Sequence, residues 1–369
     1  MENIENKSVK ISFAAIDRVV TDNIVENIQK EIKGRDMVEY GDKNIYPNYI
    51  YDLYQNVSVL HSIVNGISNC FNDITINKEE FKMQINERGD TIEDVAKQIL
   101  IDLELYGGFA LNIVRNVSGG IAGIYNLDFK RIRSNKKNTK FYYSEDWANK
   151  SLGRVKTTVY PKYDPNDKEE KNSIYYYKND RYATYPSPVW CGAVKDAEVL
   201  NNISVFNLNS LHNGLSSDYM INFNQGKPTE EDQAEIEEMF DEKYAGFQNA
   251  RPMLSFNPDL QHRTTVEAIP QNGFADKYAA LEKTSKQNIY CAFNISPVLL
   301  GLPSENVGFN DNDINESWRI AEQLVFKPLL KTVKRAFEYI FQQPDVVDIK
   351  ITIINFDRES KNNGNEEIE

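Results

Sequence analysis

The run Met220-Ile221-Asn222-Phe223-Asn224-Gln225-Gly226-Lys227-Pro228 opens as a β-prone strand and is stopped at Gln225-Gly226-Lys227-Pro228. Upstream, Ala197 to His212 carries Leu200, Ile203, Val205, Phe206, Leu208 and Leu211 at helical spacing, with Asn201, Asn202, Asn207 and Asn209 opposing part of that face. Asparagine is a poor helix former, so this helix needs contacts beyond its own propensity. Downstream, Thr229 and Asp232 cap an acidic helix over Glu230 to Tyr244, then Pro252 to Phe256 and Thr265 to Ile269 read as strands and Asp276 to Phe293 as a helix. A strand pair with little apolar content, such as Met220 to Asn224 and Met253 to Phe256, cannot bury itself alone and gains by pairing across subunits. Helices framing short strands set the class as α+β.

The flanks extend the mixed pattern. An amphipathic helix is expected over Val20 to Ile32 after a polar arm, and two short helices over Tyr49 to Tyr54 and Val57 to Ile67. Thr91 with Asp94 marks the cap of a helix that ends at Gly107-Gly108. Phe109 to Val114 and Ile121 to Leu127 form a hairpin about Ser118-Gly119-Gly120, followed by β-prone pieces at Phe141, Thr157 and Ile174. A loop over Asn294 to Asn312 leads to Asp313 and Glu316, a capping-box-like start of a long helix to about Phe341 that Pro328 should kink or interrupt. Val346 to Phe356 is a last strand, and the polar tail from Glu359 to Glu369 has no apolar anchor.

Composition narrows the function. A chain of 369 residues exceeds one small core, and its net charge of −13 argues against gripping nucleic acid by bulk attraction. Cys70, Cys191 and Cys291 are widely spaced and form no CxxC pair, so a reducing compartment without disulfide or zinc is expected. The N-terminus has no signal-peptide pattern and no stretch approaches the ~20 apolar residues of a membrane span, so a soluble chain without a leader or membrane contact is expected.

Chemistry-bearing motifs are few. No Walker A, GxGxxG, HExxH or GxSxG occurs, and the loop from Gly301 to Gly308 lacks the Lys-Ser/Thr end of a phosphate cradle. His61, His212 and His262 fall in separate elements, so no catalytic residue, metal site or cofactor is assigned. Asp311, Asp313 and Glu316 lack the calcium-loop glycine and read as capping residues. The acidic run from Glu230 to Glu242 reads as a solvated face, with partner binding or DNA repulsion as the alternative. Lys130, Arg131, Arg133, Lys136 and Lys137 are the densest basic patch, either a solvated turn or a nucleic-acid contact.

Four segments in order resemble the bacteriophage portal protein family, in particular portals of Bacteroidetes phages and prophages. They are Tyr40-Gly41-Asp42-Lys43-Asn44-Ile45-Tyr46-Pro47 with Leu60-His61-Ser62-Ile63-Val64; Tyr106 to Leu111 with Gly120 to Leu127 and Arg131-Ile132-Arg133; Tyr185-Pro186-Ser187-Pro188 through Asn213-Gly214-Leu215-Ser216 to Pro228; and Ile295 to Leu302 with Gly308-Phe309-Asn310 and Phe326-Lys327-Pro328-Leu329-Leu330. Together they cover about residues 40 to 342.

The resemblance implies a non-enzymatic, dodecameric ring subunit with wing, stem and clip regions about a central DNA channel. It implies an arm over 1–39, a wing over 40–195, stem helices over 196–217 and 271–294, and a clip over 218–270. A tunnel-loop region follows over 295–312, then a long wing or crown helix and final strand over 313–357 and a disordered tail over 358–369, with the crown reduced or absent. Channel-lining candidates are Ser304, Glu305, Asn306, Val307, Gly308, Phe309, Asn310, Asp311 and Asn312. Partner-binding clip candidates are Met220, Ile221, Asn222, Phe223, Asn224, Arg251, Met253, Leu254 and Phe256. The partners implied are further copies of the chain, the terminase large subunit, the major capsid protein, a head–tail connector and double-stranded DNA, at a virion vertex assembled in the host cytoplasm. Another ring-forming connector or virion component is the competing reading, and a hydrolase the third.

Overall fold

Tyr46 opens the first helix of a computed structural model that describes residues 25–147, 156–212, 219–223, 229, 253–256, 265–268, 274–301 and 311–351. Helix α1 (Tyr46–Asn56) has Pro47 in its first turn, where a missing N–H costs nothing, and α2 (Ser58–Asn69) follows after an extended Val57. Both bury one apolar face, with Ile50, Leu60, Ile63 and Val64 fully enclosed. Strand β1 (Phe71–Ile76) comes next; its Asn72-Asp73 pair hides it from a sequence reading. Asp73 takes a left-handed backbone (φ 50°) at the irregularity between Asn72 and Thr75, while Phe71, Ile74 and Ile76 are buried.

Helix α3 (Ile92–Tyr106) starts as its sequence predicts. Thr91 Oγ1 accepts from the Asp94 N–H at 3.2 Å, and the Asp94 carboxylate accepts the Thr91 N–H at 2.8 Å, completing a capping box. It stops at Gly107, left-handed at φ 76°. Val95, Ala96, Ile99 and Leu100 are fully buried, and each large side chain among them contributes about 2 kcal/mol by leaving water.

Strands β2 (Gly108–Arg115) and β3 (Ile121–Asn126) form the expected hairpin. After the short β4 (Ile132–Ser134), β5 (Lys140–Tyr143) and β6 (Thr158–Pro161), strand β7 (Asn172–Lys178) returns to pair antiparallel with β2. The sheets run β3-β2-β7 and β4-β5-β6, antiparallel throughout.

The helix expected over Val20 to Ile32 is corrected for its described part. Residues 25–30 form no helix, and Glu31 bridges antiparallel to Val38. The Lys30 carbonyl accepts the Glu39 N–H at 2.8 Å and the Ile32 N–H donates to the Met37 carbonyl at 3.0 Å, so other segments take backbone bonds a helix would have used, while the Gln29 side chain donates to the Tyr185 carbonyl and accepts from its N–H. Tyr40 and Tyr185 stack with centroids 4.2 Å apart, and the Tyr185 hydroxyl donates to the Val38 carbonyl at 2.5 Å.

These elements belong to one compact unit, residues 25–192 with 289–369. A second unit takes residues 193–288, so the chain leaves the larger unit and returns to it. The second unit contains α4 (Val194–His212), β8 (Tyr219–Phe223), β9 (Met253–Phe256), β10 (Thr265–Ala268) and most of α5 (Phe274–Phe293). Asn288 donates to Asp196 at 2.9 Å, and Phe206 meets Tyr278 with ring centroids 5.2 Å apart. Moving from 196 to 206 along α4 thus corresponds to moving from 288 back to 278 along α5, so the helices lie side by side and antiparallel. The acidic helix expected over Glu230 to Tyr244 lies outside the described residues.

In the larger unit the chain continues through a 3-10 turn (Pro297–Leu300) to α6 (Asp311–Ala321), a π-helical segment (Glu322–Phe326) and α7 (Lys327–Phe341). The interruption expected at Pro328 takes this π form. The Lys327 N–H bonds back to the Glu322 carbonyl, inserting one residue just before the proline that cannot donate. Strand β11 (Val347–Ile351) then pairs antiparallel with β1, joining Ile351 to Phe71 and Val347 to Ile76.

Candidate functional site

The clip candidates in described strands are brought into register. Strands β8 and β9 run parallel, with Met220 opposite Met253, Ile221 opposite Leu254, Asn222 opposite Ser255 and Phe223 opposite Phe256. On the other side of β8, Ala268 to Thr265 of β10 pair antiparallel with Tyr219 to Asn222, giving the order β10-β8-β9. Strand β10 thus extends the β8–β9 pair into a three-stranded sheet within the chain. Asn224 and Arg251 lie outside the described residues.

The channel-lining candidates from Ser304 to Asn310 also lie outside them, whereas Asp311 and Asn312 belong to α6 and not to a loop. The helix starts at Asp311, before the expected Asp313 cap. Both ends of the 302–310 segment leave from anchored structure. On the entering side Phe293 stacks on the fully buried Trp190 (centroids 6.2 Å, 19°), Ile295 is buried, and Asn294 and Gly301 take left-handed backbone. Leu300 sits so close to Gly66 of α2 that a β-carbon there would lie 2.6 Å from its Cδ2. On the leaving side Trp318 meets Phe326 at 4.9 Å, and Phe326 meets Phe71 of β1 edge-on at 5.9 Å.

The basic patch does not form a stripe of free cations. Arg133 is fully buried: Nε donates to Asn44 Oδ1 at 2.5 Å, Nη2 to the Asn44 carbonyl at 2.5 Å, and Nη1 to the Lys130 and Ile132 carbonyls at 2.9 and 2.7 Å. Its guanidinium also lies 5.0 Å from the Trp147 ring centre. Burial without a carboxylate partner lowers its pKa to about 10. Lys130 lies 3.3 Å from the Tyr51 ring centre, Arg131 pairs with Asp128 and Tyr143, and Lys136 pairs with Glu31. These cations mostly build the fold, and the Gly41–Asn44 turn, with Lys43 and Asn44 at positive φ, is held by Arg133.

Of the histidines, His61 of α2 stacks on Tyr54 of α1, His212 is the last residue of α4, and His262 lies outside the described residues. Among the described residues no group of three His, Cys, Asp or Glu side chains is placed to hold a metal ion. No helix among them is long and apolar enough to cross a membrane. A small cleft of about 140 Å³ is lined by Asn48, Asp128, Lys130, Arg131, Glu145, Asp146 and Trp147, and within it Asp128 pairs with Lys130 and Arg131. Sequence reasoning passed over Asp102 and Glu104, which interleave with Leu103 and Leu105 in α3 and are buried with them. Burial pushes each carboxyl up to about 8. The signal was available, since a helix apolar on nearly every side buries its polar residues too.

The fold is similar to that of chains in several solved structures. The chain is similar to one from the virion of a native gene transfer agent particle, with TM-score 0.53 and 17% identity over 85% of this chain and 86% of that one. It is similar to one from the neck of an empty gene transfer agent particle, with TM-score 0.52, 14% identity and coverage of 85% and 86%. An HK97-family phage portal protein from Corynebacterium diphtheriae aligns with TM-score 0.50 and 8% identity, over 82% of this chain and 94% of that one. At such identities the likeness is one of fold. A search of the curated proteins gave no match.

The class is therefore α+β with a portal fold, and the family follows from the sequence itself. The model of the phage portal protein family matches residues 86–363, well over half of the chain, and this chain belongs to that family. It is a structural protein of the virion, of a family whose members assemble as ring oligomers.

Proposed function

We propose that twelve copies of this chain close into a ring at one capsid vertex, forming the channel through which double-stranded DNA is packaged and ejected. The observation that carries the reading is the element order within residues 193–288: helix α4, then the strands β8, β9 and β10 of one sheet, then helix α5, which lies antiparallel against α4. In this reading α4 and α5 are the stem and β8 to β10 the clip. The clip presents Met220 to Asn224, Arg251, Met253, Leu254 and Phe256 to the terminase large subunit during packaging and to a head–tail connector afterwards. The larger unit is the wing, set against the major capsid protein, and residues 304–312 line the channel.

Two features support ring closure. Val205, Phe206 and Leu208 on α4 and Leu281 on α5 are each about half exposed, an apolar surface that a neighbouring copy would cover. The charge of −13 per chain, repeated around a ring, suits a conduit that must not hold moving DNA by fixed cations. Electron microscopy of the purified protein, classified for rotational symmetry, tests the proposal. Closed rings of twelvefold symmetry with an open centre are the expected result; a stable monomer at all concentrations, or a ring with no central opening, overturns it.

A further inference from the structure

Asn126, the last residue of β3, has an unequal environment at its two amide atoms. Its Nδ2 donates to Asp102 Oδ2 at 2.9 Å, while its Oδ1 is buried and meets no donor. A buried amide oxygen without a partner costs about 1–3 kcal/mol, so a missing donor is to be sought among its neighbours. Asp102 is the adjacent group, and it is itself buried on α3 with no ion pair to any cation among the described residues.

The groups facing Asp102 explain why it lacks one. Asp128, on the turn after β3, repels a charge on it. Lys130 faces it as well, but its ammonium lies over the Tyr51 ring of α1, 3.7 Å from the Asp128 carboxylate, and also faces Asp52 of α1. Tyr106, one turn further along α3, offers a buried phenol near both Asp102 and Asp128. An ionised Asp102 would thus sit without an ion pair beside a second carboxylate, with the Asn126 amide N–H donating to its Oδ2.

We propose that Asp102 is held as a neutral carboxylic acid, its Oδ1–H donating to Asn126 Oδ1 while Asn126 Nδ2–H donates to Asp102 Oδ2. The two side chains then close a cyclic acid–amide pair that supplies the donor missing at Asn126. The pair joins α3 to the β2-β3 hairpin and takes up one proton when this part of the larger unit folds. That proton makes the junction a pH-sensitive element: opening α3 away from β3 releases it at neutral pH.

Infrared difference spectroscopy of the full-length protein tests this, in a Glu104→Gln background that removes the other buried carboxyl of α3. At about pH 7, where exposed carboxyls are ionised, the protein should show a carboxylic-acid C=O band that shifts in D2O and disappears in Asp102→Asn. Its titration midpoint should lie well above the ordinary aspartate range. Asp102→Asn supplies a neutral amide of the same shape, so it should keep the thermal midpoint seen at about pH 6 and lose much of the fall toward about pH 9. Asp102→Ala, with no donor, should lower the midpoint at both. Absence of an acid band at neutral pH, read directly on the Glu104→Gln protein without any further variant, overturns the proposal. So does an Asp102→Asn variant destabilised equally at every pH.

Discussion

Gly107 closes α3 in a left-handed conformation, and a β-carbon there would lie 2.2 Å from the Ser187 carbonyl oxygen. That oxygen is backbone and already accepts from Asn179, so it has no freedom to move aside. Gly107→Ala combines the positive-φ penalty with this clash and should destabilise the protein by more than about 2 kcal/mol, read as a lower denaturation midpoint. Arg133 is the other residue whose surroundings leave no alternative. Arg133→Met would remove its donors from the Asn44, Lys130 and Ile132 carbonyls and leave Asn44 Oδ1 with the Tyr40 N–H alone. A loss of about 3 kcal/mol is expected, with the Gly41–Asn44 turn becoming the first site of faster amide exchange.

Among elements, α3 depends on its start. Thr91→Ala removes one half of the capping box and should cost about 1 kcal/mol, and Thr91→Ser should restore most of it, as thermal melts of the two variants can show. The Asp94 carboxyl is held below its usual range by its bonds to Thr91, so this contribution is present at neutral pH and is lost as pH falls through the carboxylate range. The π segment before Pro328 makes a further expectation. Pro328→Ala restores a donor at that position and allows α6 and α7 to run as one regular α-helix, which a structure of the variant would reveal as loss of the Lys327 to Glu322 bond.

For the whole molecule, the buried acids of α3 set a pH dependence of opposite sign to the capping box. Asp102 and Glu104 are pushed up to about 8 in the folded chain, against about 4 when unfolded. Between these values the native state binds more protons than the unfolded state, so stability falls as pH rises through that window and levels off above it. The thermal midpoint should therefore be higher near pH 6 than near pH 9, by at least a few degrees. Glu104→Gln, whose amide never ionises, should flatten part of that slope and raise the midpoint at the alkaline end.

Sequence by itself determined those features that local chemistry enforces. The α3 cap, the Gly107 stop, the β2-β3 hairpin, the disturbance before Pro328 and the helix–strands–helix order of residues 194–293 follow from side-chain spacing, fixed φ and missing donors that no tertiary context alters. The family resemblance was legible for the same reason, since it rests on an ordered series of such segments. Only the tertiary structure decided where long-range partners win. It kept residues 25–30 out of a helix, because the Glu26 and Lys30 carbonyls accept from the Asp42 and Glu39 N–H groups, and made Phe71–Ile76 a strand, because β11 lies beside it. It turned a basic patch into a buried Arg133 and showed Asp102 and Glu104 inside, since burial is a property of packed neighbours and not of spacing along the chain.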